Sequence, residues 1–137
     1  MLIQIAQRAT DLERATAFYT ALLGAPPVAT FDPPGLVFFD LDGMRLLINR
    51  EAPSALLYLR VDSFDAALAR IGDVEIVSPA HAIFTHTTDT LGPAGYEEWQ
   101  TFIRDSEGNV VGLIEYRPDA TNDETTDTET TNEEQAK

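Results

Sequence analysis

Two stretches of the chain repeat the same order of apolar and polar positions. The first opens with an apolar segment, Leu2–Ala9, and continues through residues 10–24, where apolar residues recur at helical spacing. The second opens at Ala55–Val61 and continues in the same way to Gly72. Both helical stretches end at a glycine, which favours the left-handed residue that closes a helix. The pattern therefore predicts two copies of a strand–helix unit.

Polar residues at the start of each helical stretch are candidates for helix caps. Thr10 is the expected N-cap of the first helix, and Glu13 stands three residues later, at the spacing of a capping box. Asp62 or Ser63 is expected to cap the second helix. These caps predict that each helix begins immediately after its strand.

Short apolar segments follow each helix and predict three further strands per unit. In the first unit, Asp42-Gly43 separates two of them and suits a tight hairpin turn. In the second unit, residues 105–108 form the corresponding turn, and Ala80–Tyr96 is expected to be a long irregular segment. The predicted order is β-α-β-β-β twice, in modules 1–52 and 53–118, with the later strands at Val28–Phe31, Leu36–Leu41, Met44–Asn49, Val74–Ser78, Glu98–Arg104 and Asn109–Tyr116.

Composition and charge restrict the classes of partner. The chain has 137 residues, no cysteine and a formal charge of −14. Residues 119–137 are acidic and lack large apolar side chains, so we expect a disordered tail. The remainder has sixteen acidic residues and eight arginines, a net charge of −8 that disfavours nucleic acid and anionic membrane as partners. Without an apolar run long enough to cross a bilayer, or a leader, a cytoplasmic protein is expected.

The repeated module resembles the vicinal-oxygen-chelate superfamily, which includes glyoxalase I, bleomycin-resistance proteins and extradiol dioxygenases. The resemblance rests on Asp-Leu-Glu-Arg-Ala…Phe-Tyr…Leu-Leu-Gly in the first module and Phe-Ile-Arg-Asp-Ser-Glu-Gly-Asn in the second. It implies an α+β fold in which the two modules form a curved mixed sheet around a concave ligand cup. It also implies a homodimer.

Catalytic members of that superfamily hold a divalent ion with four side chains in the cup. Carried over by position, those points fall on Gln4, Leu47, Leu56 and Gly112. Leucine and glycine side chains offer no oxygen or imidazole donor, so only Gln4 is usable. A shift of register would expose Asn49 or Glu115 only by turning the apolar face of the strand into the cup. We therefore expect neither the usual metal site nor a cofactor.

Strand alternation predicts which other side chains face the cup. Three arginines, Arg8, Arg45 and Arg60, would favour an anionic or carboxylate-bearing small ligand through bidentate hydrogen bonds. The alternative is that Arg8 and Arg60 lie at strand ends and pair with surface acids. The full set of expected ligand-binding residues is Gln4, Arg8, Arg45, Asn49, Tyr58, Arg60 and Trp99.

The two histidines carry a second set of hypotheses. His81 or His86 is a candidate general acid–base over the cup, with Glu98 nearby in sequence, because the imidazole titrates near neutral pH. The same three residues are candidates for a displaced metal site. The alternative is a loop whose histidines are solvated or capping. Trp99 is explained most simply as core or cup wall.

These observations favour a small-molecule binding protein of the glyoxalase/bleomycin-resistance type that works without the usual metal. The alternative is an enzyme, a lyase, isomerase, epimerase or dioxygenase, that uses one divalent ion held by Gln4 and loop residues. A third possibility is a structural domain whose cup is filled by its own side chains. The sequence does not identify the ligand, since one fold hosts many chemistries.

Overall fold

A computed structural model describes residues 1–120. Within these residues, two helices and eight strands follow the order β-α-β-β-β twice, as the repeat predicts. The expected disordered tail, residues 119–137, lies outside the described part of the chain from residue 121 onward. The elements are β1 Gln4–Arg8, α1 Leu12–Leu23, β2 Ala29–Phe31, β3 Leu36–Leu41, β4 Met44–Asn49, β5 Leu57–Arg60, α2 Phe64–Ile71, β6 Ile76–His86, β7 Tyr96–Arg104 and β8 Val110–Pro118.

The strands form two four-stranded mixed sheets of the same topology. The first sheet has the order β1-β4-β3-β2 and the second β5-β8-β7-β6. In each sheet the first strand of the module pairs in parallel with the last, and the other pairs are antiparallel. The hairpin between β3 and β4 turns at Asp42-Gly43, where both residues have positive φ, as the sequence predicts. The α+β fold of two similar modules is therefore confirmed.

One face of each sheet packs against the helices and forms a single core. Leu46 and Ile48 of the first sheet and Val111 and Leu113 of the second are buried there. Gln7 also lies on this face, between Ile5 and Ala9, and is completely buried. By alternation, the opposite face of each sheet, called here the open face, carries the residues expected in the cup.

The N-cap prediction for α1 is wrong by one residue. Asp11 is the N-cap, and its side chain accepts a hydrogen bond from the backbone N–H of Arg14. The expected capping box is absent from this helix end, because the second module supplies the acid instead of Glu13. Glu107 accepts hydrogen bonds from the Thr10 N–H, the Thr10 hydroxyl and the Asp11 N–H, at 2.9 to 3.0 Å. At α2, the N-cap is Ser63 and not Asp62.

Glu107 also forms an ion pair with Arg14 at 2.6 Å, with the carboxylate side chain only 2 % exposed. Burial by itself would raise the pKa of Glu107. The hydrogen bonds from Arg14, Asp11 and Thr10 outweigh burial and lower that pKa to about 2 from an ordinary 4.5. The carboxylate is therefore held ionised at the N-terminus of α1, where the helix dipole also favours it.

A buried polar chain joins the modules beside this contact. The Tyr19 hydroxyl donates to Asp105 Oδ2 at 2.7 Å and accepts from Gln7 Nε2 at 3.2 Å. Asp105 Oδ1 accepts the backbone N–H groups of Glu107 and Asn109, both at 2.8 Å. Burial, together with the Asp105 carboxylate, raises the pKa of Tyr19 well above its ordinary value. The turn between β7 and β8 is thus anchored to α1.

The irregular segment predicted for Ala80–Tyr96 is too long. Its first part belongs to β6, which runs to His86, and its last residue begins β7. The pairing of β6 with β7 is interrupted by register shifts near Ser78, His81 and Ala82. These irregularities, together with Pro79 in the sequence, remove the strict alternation that a strand prediction needs. The irregular connection that remains spans residues 87–95.

Candidate functional site

The open faces carry most of the predicted ligand-binding residues. Pairing places Gln4 beside Arg45 and Arg8 beside Asn49 in the first sheet. In the second sheet, Tyr58 lies beside Gly112. The exposed guanidinium of Arg45 lies over the ring of Phe38, 5.9 Å from its centroid. The predicted alternation of these strands is therefore correct, although their role in ligand binding stays a prediction.

The three arginines expected in the cup form no ion pairs with any residue of 1–120. Arg8, Arg45 and Arg60 are all exposed, and none has a carboxylate oxygen within 4.0 Å of its guanidinium nitrogens. Arg8 and Arg60 lie at strand ends, as the alternative expects, but within residues 1–120 they have no acidic partner.

Aromatic rings cover the centre of the second sheet's open face. Tyr58 and Phe102 meet edge to face, with centroids 5.7 Å apart, directly above Gly112. A Cβ atom placed on Gly112 would lie 3.0 Å from both rings. Glycine is therefore the residue that lets the two rings close over this strand.

A cleft of about 910 Å³ lies where the two modules meet. Tyr58 and Arg60 of β5 line it, and the hairpin between β3 and β4 contributes Asp40 and Asp42. The segment after α1 supplies an apolar wall. Sequence reasoning placed Tyr58 and Arg60 in the cup but missed both aspartates, which only the approach of the modules brings to the same cleft.

A second group of polar side chains lies on the open face near the other edge of the second sheet. His86 Nε2 is 2.9 Å from Glu98 Oε1, and Gln100 Nε2 donates to Glu98 Oε2 at 2.7 Å. His86 is 3 % exposed and Glu98 7 %. Phe84 and Tyr116 flank the imidazole, with ring centroids 4.3 and 5.8 Å away. We call His86, Glu98 and Gln100 the imidazole cluster.

The connection after β6 covers the imidazole cluster. A Cβ atom on Gly92 would lie 2.5 Å from His86 Cε1, so only glycine fits against the ring in this arrangement. His86 Nδ1 has no hydrogen-bond partner in residues 1–120. A cleft of about 300 Å³ adjoins His86 and is lined also by Thr85, Thr87, Ala94, Gly95 and Asp119.

His81 and Trp99 lie apart from this cluster. His81 is exposed, and its Nδ1 is 2.8 Å from the Pro79 carbonyl oxygen. Trp99 occupies the opposite face of β7 from Glu98, packs on the core, and has Arg117 4.0 Å above its ring. Within residues 1–120 no three His, Asp or Glu side chains are arranged to hold a metal, so the displaced site of His81, His86 and Glu98 is not formed.

Comparison with solved structures identifies the fold. A glyoxalase/bleomycin resistance protein from Albidiferax ferrireducens is 20% identical, with a TM-score of 0.58 over 84% of this chain and 98% of that one. Lactoylglutathione lyase from Agrobacterium tumefaciens is 23% identical, with a TM-score of 0.59 over 84% and 92%. A glyoxalase-related enzyme from Fulvimarina pelagi is 18% identical, with a TM-score of 0.58 over 83% and 86%. The fold is that of the vicinal-oxygen-chelate superfamily. No family model and no curated protein matches the sequence.

The superfamily resemblance predicts metal-ligand positions at Gln4, Leu47, Leu56 and Gly112, and the structure shows on which face the sheet residues among them lie. The strand register of this chain places Leu47 and Gly112 on the open faces, as the sequence predicts. At Gly112 the rings of Tyr58 and Phe102 occupy the space beside the strand that a side chain would need. Of the four residues, Gln4, Leu47, Leu56 and Gly112, only the first has a donor atom that a hard cation accepts.

The sequence also predicts where the protein is located and which partners it has. Neither helix within residues 1–120 is long and apolar enough to cross a bilayer. The cytoplasmic location, the homodimer and the exclusion of nucleic acid and membrane stay predictions.

Proposed function

We propose that this protein binds a small molecule, with an anionic group favoured, and does so without the divalent ion that the superfamily resemblance implies for catalytic members. The observation that carries the proposal is the residue set at the four predicted ligand positions, where two leucines and a ring-covered glycine leave Gln4 as the only residue with a donor atom. Arg45 and Arg60, both exposed and without ion pairs to described residues, supply the positive charge. Bidentate recognition by arginine suits a carboxylate or a phosphate.

A homodimer belongs to the same proposal. The open faces leave large apolar side chains exposed, including Phe31 at 53 % and Tyr58 at 50 %. Clusters of exposed apolar surface mark ligand or protein contacts in soluble proteins. A second copy of the chain is the partner we propose for the part of these faces that a small ligand does not cover.

Metal content and ligand binding together test the proposal. Protein purified without chelators is expected to contain far less than one divalent ion per chain by elemental analysis. After chelator treatment it is expected to bind 2-naphthoate, a planar carboxylate probe, in a calorimetric titration. Arg45→Gln should weaken that binding about tenfold, since a charge-assisted hydrogen bond contributes roughly 1.5–3 kcal/mol. One bound ion per chain, or an affinity unaffected by Arg45→Gln, would contradict the proposal.

The imidazole cluster favours a second candidate function, an enzyme in which His86 transfers a proton. We infer that the His86 ring proton lies on Nε2 and is donated to the Glu98 carboxylate, which leaves Nδ1 as the nitrogen that can accept a proton. Gln100 holds the other Glu98 oxygen and fixes its orientation. A His held by a carboxylate in this way is a general base when a substrate proton reaches Nδ1.

The tautomer of His86 can be measured without a substrate. Nitrogen-15 NMR of the imidazole at neutral pH is expected to show Nε2 protonated and Nδ1 unprotonated. Glu98→Gln should change this balance because the amide can donate as well as accept, whereas the same measurement on exposed His81 should be unaffected. Equal populations of the two tautomers in the unmodified protein would remove the proton-transfer candidate.

A further inference from the structure

The cleft between the modules contains groups of both charge signs on an apolar wall. Arg60 and the Tyr58 hydroxyl come from β5, while Asp40 and Asp42 come from the hairpin of the other module. At about 910 Å³ the cleft has the size of small-molecule sites in proteins. The wall is formed by Leu23, Ala25, Pro26, Pro27, Val28 and Leu41.

The charged groups of the cleft form no ion pairs with one another. Arg60 and the Tyr58 hydroxyl have no hydrogen bond or ion pair with any residue in 1–120. Asp40 uses only Oδ1, which accepts from the Gly43 N–H at 3.1 Å. Asp42, held at φ 55 in the turn, accepts no hydrogen bond from the described part of the chain. Each group can therefore bind a ligand without first breaking an ion pair within residues 1–120.

We propose that this cleft binds a small zwitterion of the size of a dipeptide. Its carboxylate binds Arg60, its ammonium group binds Asp40 and Asp42, and its apolar side chains lie on the wall beside Tyr58. A ligand with only negative charge would meet two carboxylates, and a ligand with only positive charge would meet a guanidinium, so neither matches the whole cleft. The inference rests on the proposed function and narrows its ligand from an anion to a zwitterion.

Four forms of one dipeptide test the charge requirement. Phenylalanyl-leucine, its N-acetyl form, its C-terminal amide and the doubly blocked form are titrated into the full chain by calorimetry in the presence of chelator. The free dipeptide is expected to bind. Each single block should weaken binding about tenfold, because it removes one charge-assisted contact. If none of the four binds, or if all four bind equally, the zwitterion inference is overturned.

Substitutions assign each charge to its residue without disturbing the fold. Arg60→Gln should abolish the preference for the free carboxylate over the amide. The double substitution Asp40→Asn and Asp42→Asn should abolish the preference for the free ammonium. Asparagine keeps the acceptor that binds the Gly43 N–H and tolerates the positive φ of residue 42. Arg50→Gln, a change at an exposed arginine outside the cleft, is the matched control.

The outcomes separate this inference from the proposed function. If the acetylated dipeptide binds as well as the free one and only Arg45→Gln weakens it, the protein still binds an anion without metal, but the zwitterion is wrong. If dipeptide binding appears only when a divalent ion is added, the proposed function fails. If Arg60→Gln leaves all affinities unchanged, the cleft is not the site.

Discussion

Replacing Asp105 by alanine is expected to lower the free energy of unfolding by about 3 kcal/mol or more. The carboxylate is buried and accepts hydrogen bonds from the Tyr19 hydroxyl, the Asn109 side chain and two backbone N–H groups. Alanine leaves these donors without a partner in a site that excludes water, and each unsatisfied donor carries a desolvation cost. Chemical denaturation at pH 7, followed by circular dichroism, measures the change.

Two further variants test whether the buried hydrogen bonds of Asp105 cause this loss of stability. Asp105→Asn retains one acceptor oxygen but turns an N–H group toward donors, so its effect should lie between the wild type and Asp105→Ala. Asp73→Ala removes an exposed acid with no side-chain partner in the described residues, and should change the free energy of unfolding by less than about 0.5 kcal/mol. Equal destabilisation by Asp73→Ala and Asp105→Ala would show that the buried network is not responsible.

Local sequence patterns predict the parts of this fold that depend on neighbouring residues. The strands Leu36–Leu41 and Met44–Asn49 are observed with the predicted bounds, because the Asp42-Gly43 turn determines where the two apolar segments that flank it end and begin. Gly24 closes α1 in the left-handed conformation, as expected. These features require no knowledge of the other module.

Contacts between the two modules cannot be predicted from local sequence patterns. Glu107 is 93 residues from Arg14, and no periodicity connects the two positions, so Glu13 was the natural candidate for the helix end. The cleft has the same origin, since Asp40 and Arg60 belong to different sheets. Within the imidazole cluster, proximity in sequence predicts that Glu98 lies beside His86. Gln100 was missed, although its position two residues after Glu98 on one strand face is the signal that could have identified it.

Glu107 is expected to make the protein sensitive to acid. Its pKa is about 2 in the folded protein and 4.5 ordinarily, so the folded state binds fewer protons than the unfolded state between these values. The stabilisation is fully present above about pH 4.5 and is lost as the pH falls toward 2. Glu107→Gln should therefore lower the free energy of unfolding by about 2–3 kcal/mol at pH 7, and the difference from the wild type should vanish near pH 2.

Urea unfolding at a series of pH values between 7 and 2 measures this dependence. Glu13→Gln is the matched control, because Glu13 lies in the first turn of the same helix and is exposed, without a side-chain hydrogen bond in the described chain. It should change stability by less than about 0.5 kcal/mol at any pH in the series. If Glu13→Gln rather than Glu107→Gln removed the acid sensitivity, the local capping box would be the true partner of α1. The contact between the modules would then contribute little to stability, because the charge that stabilises the helix would come from its own first turn.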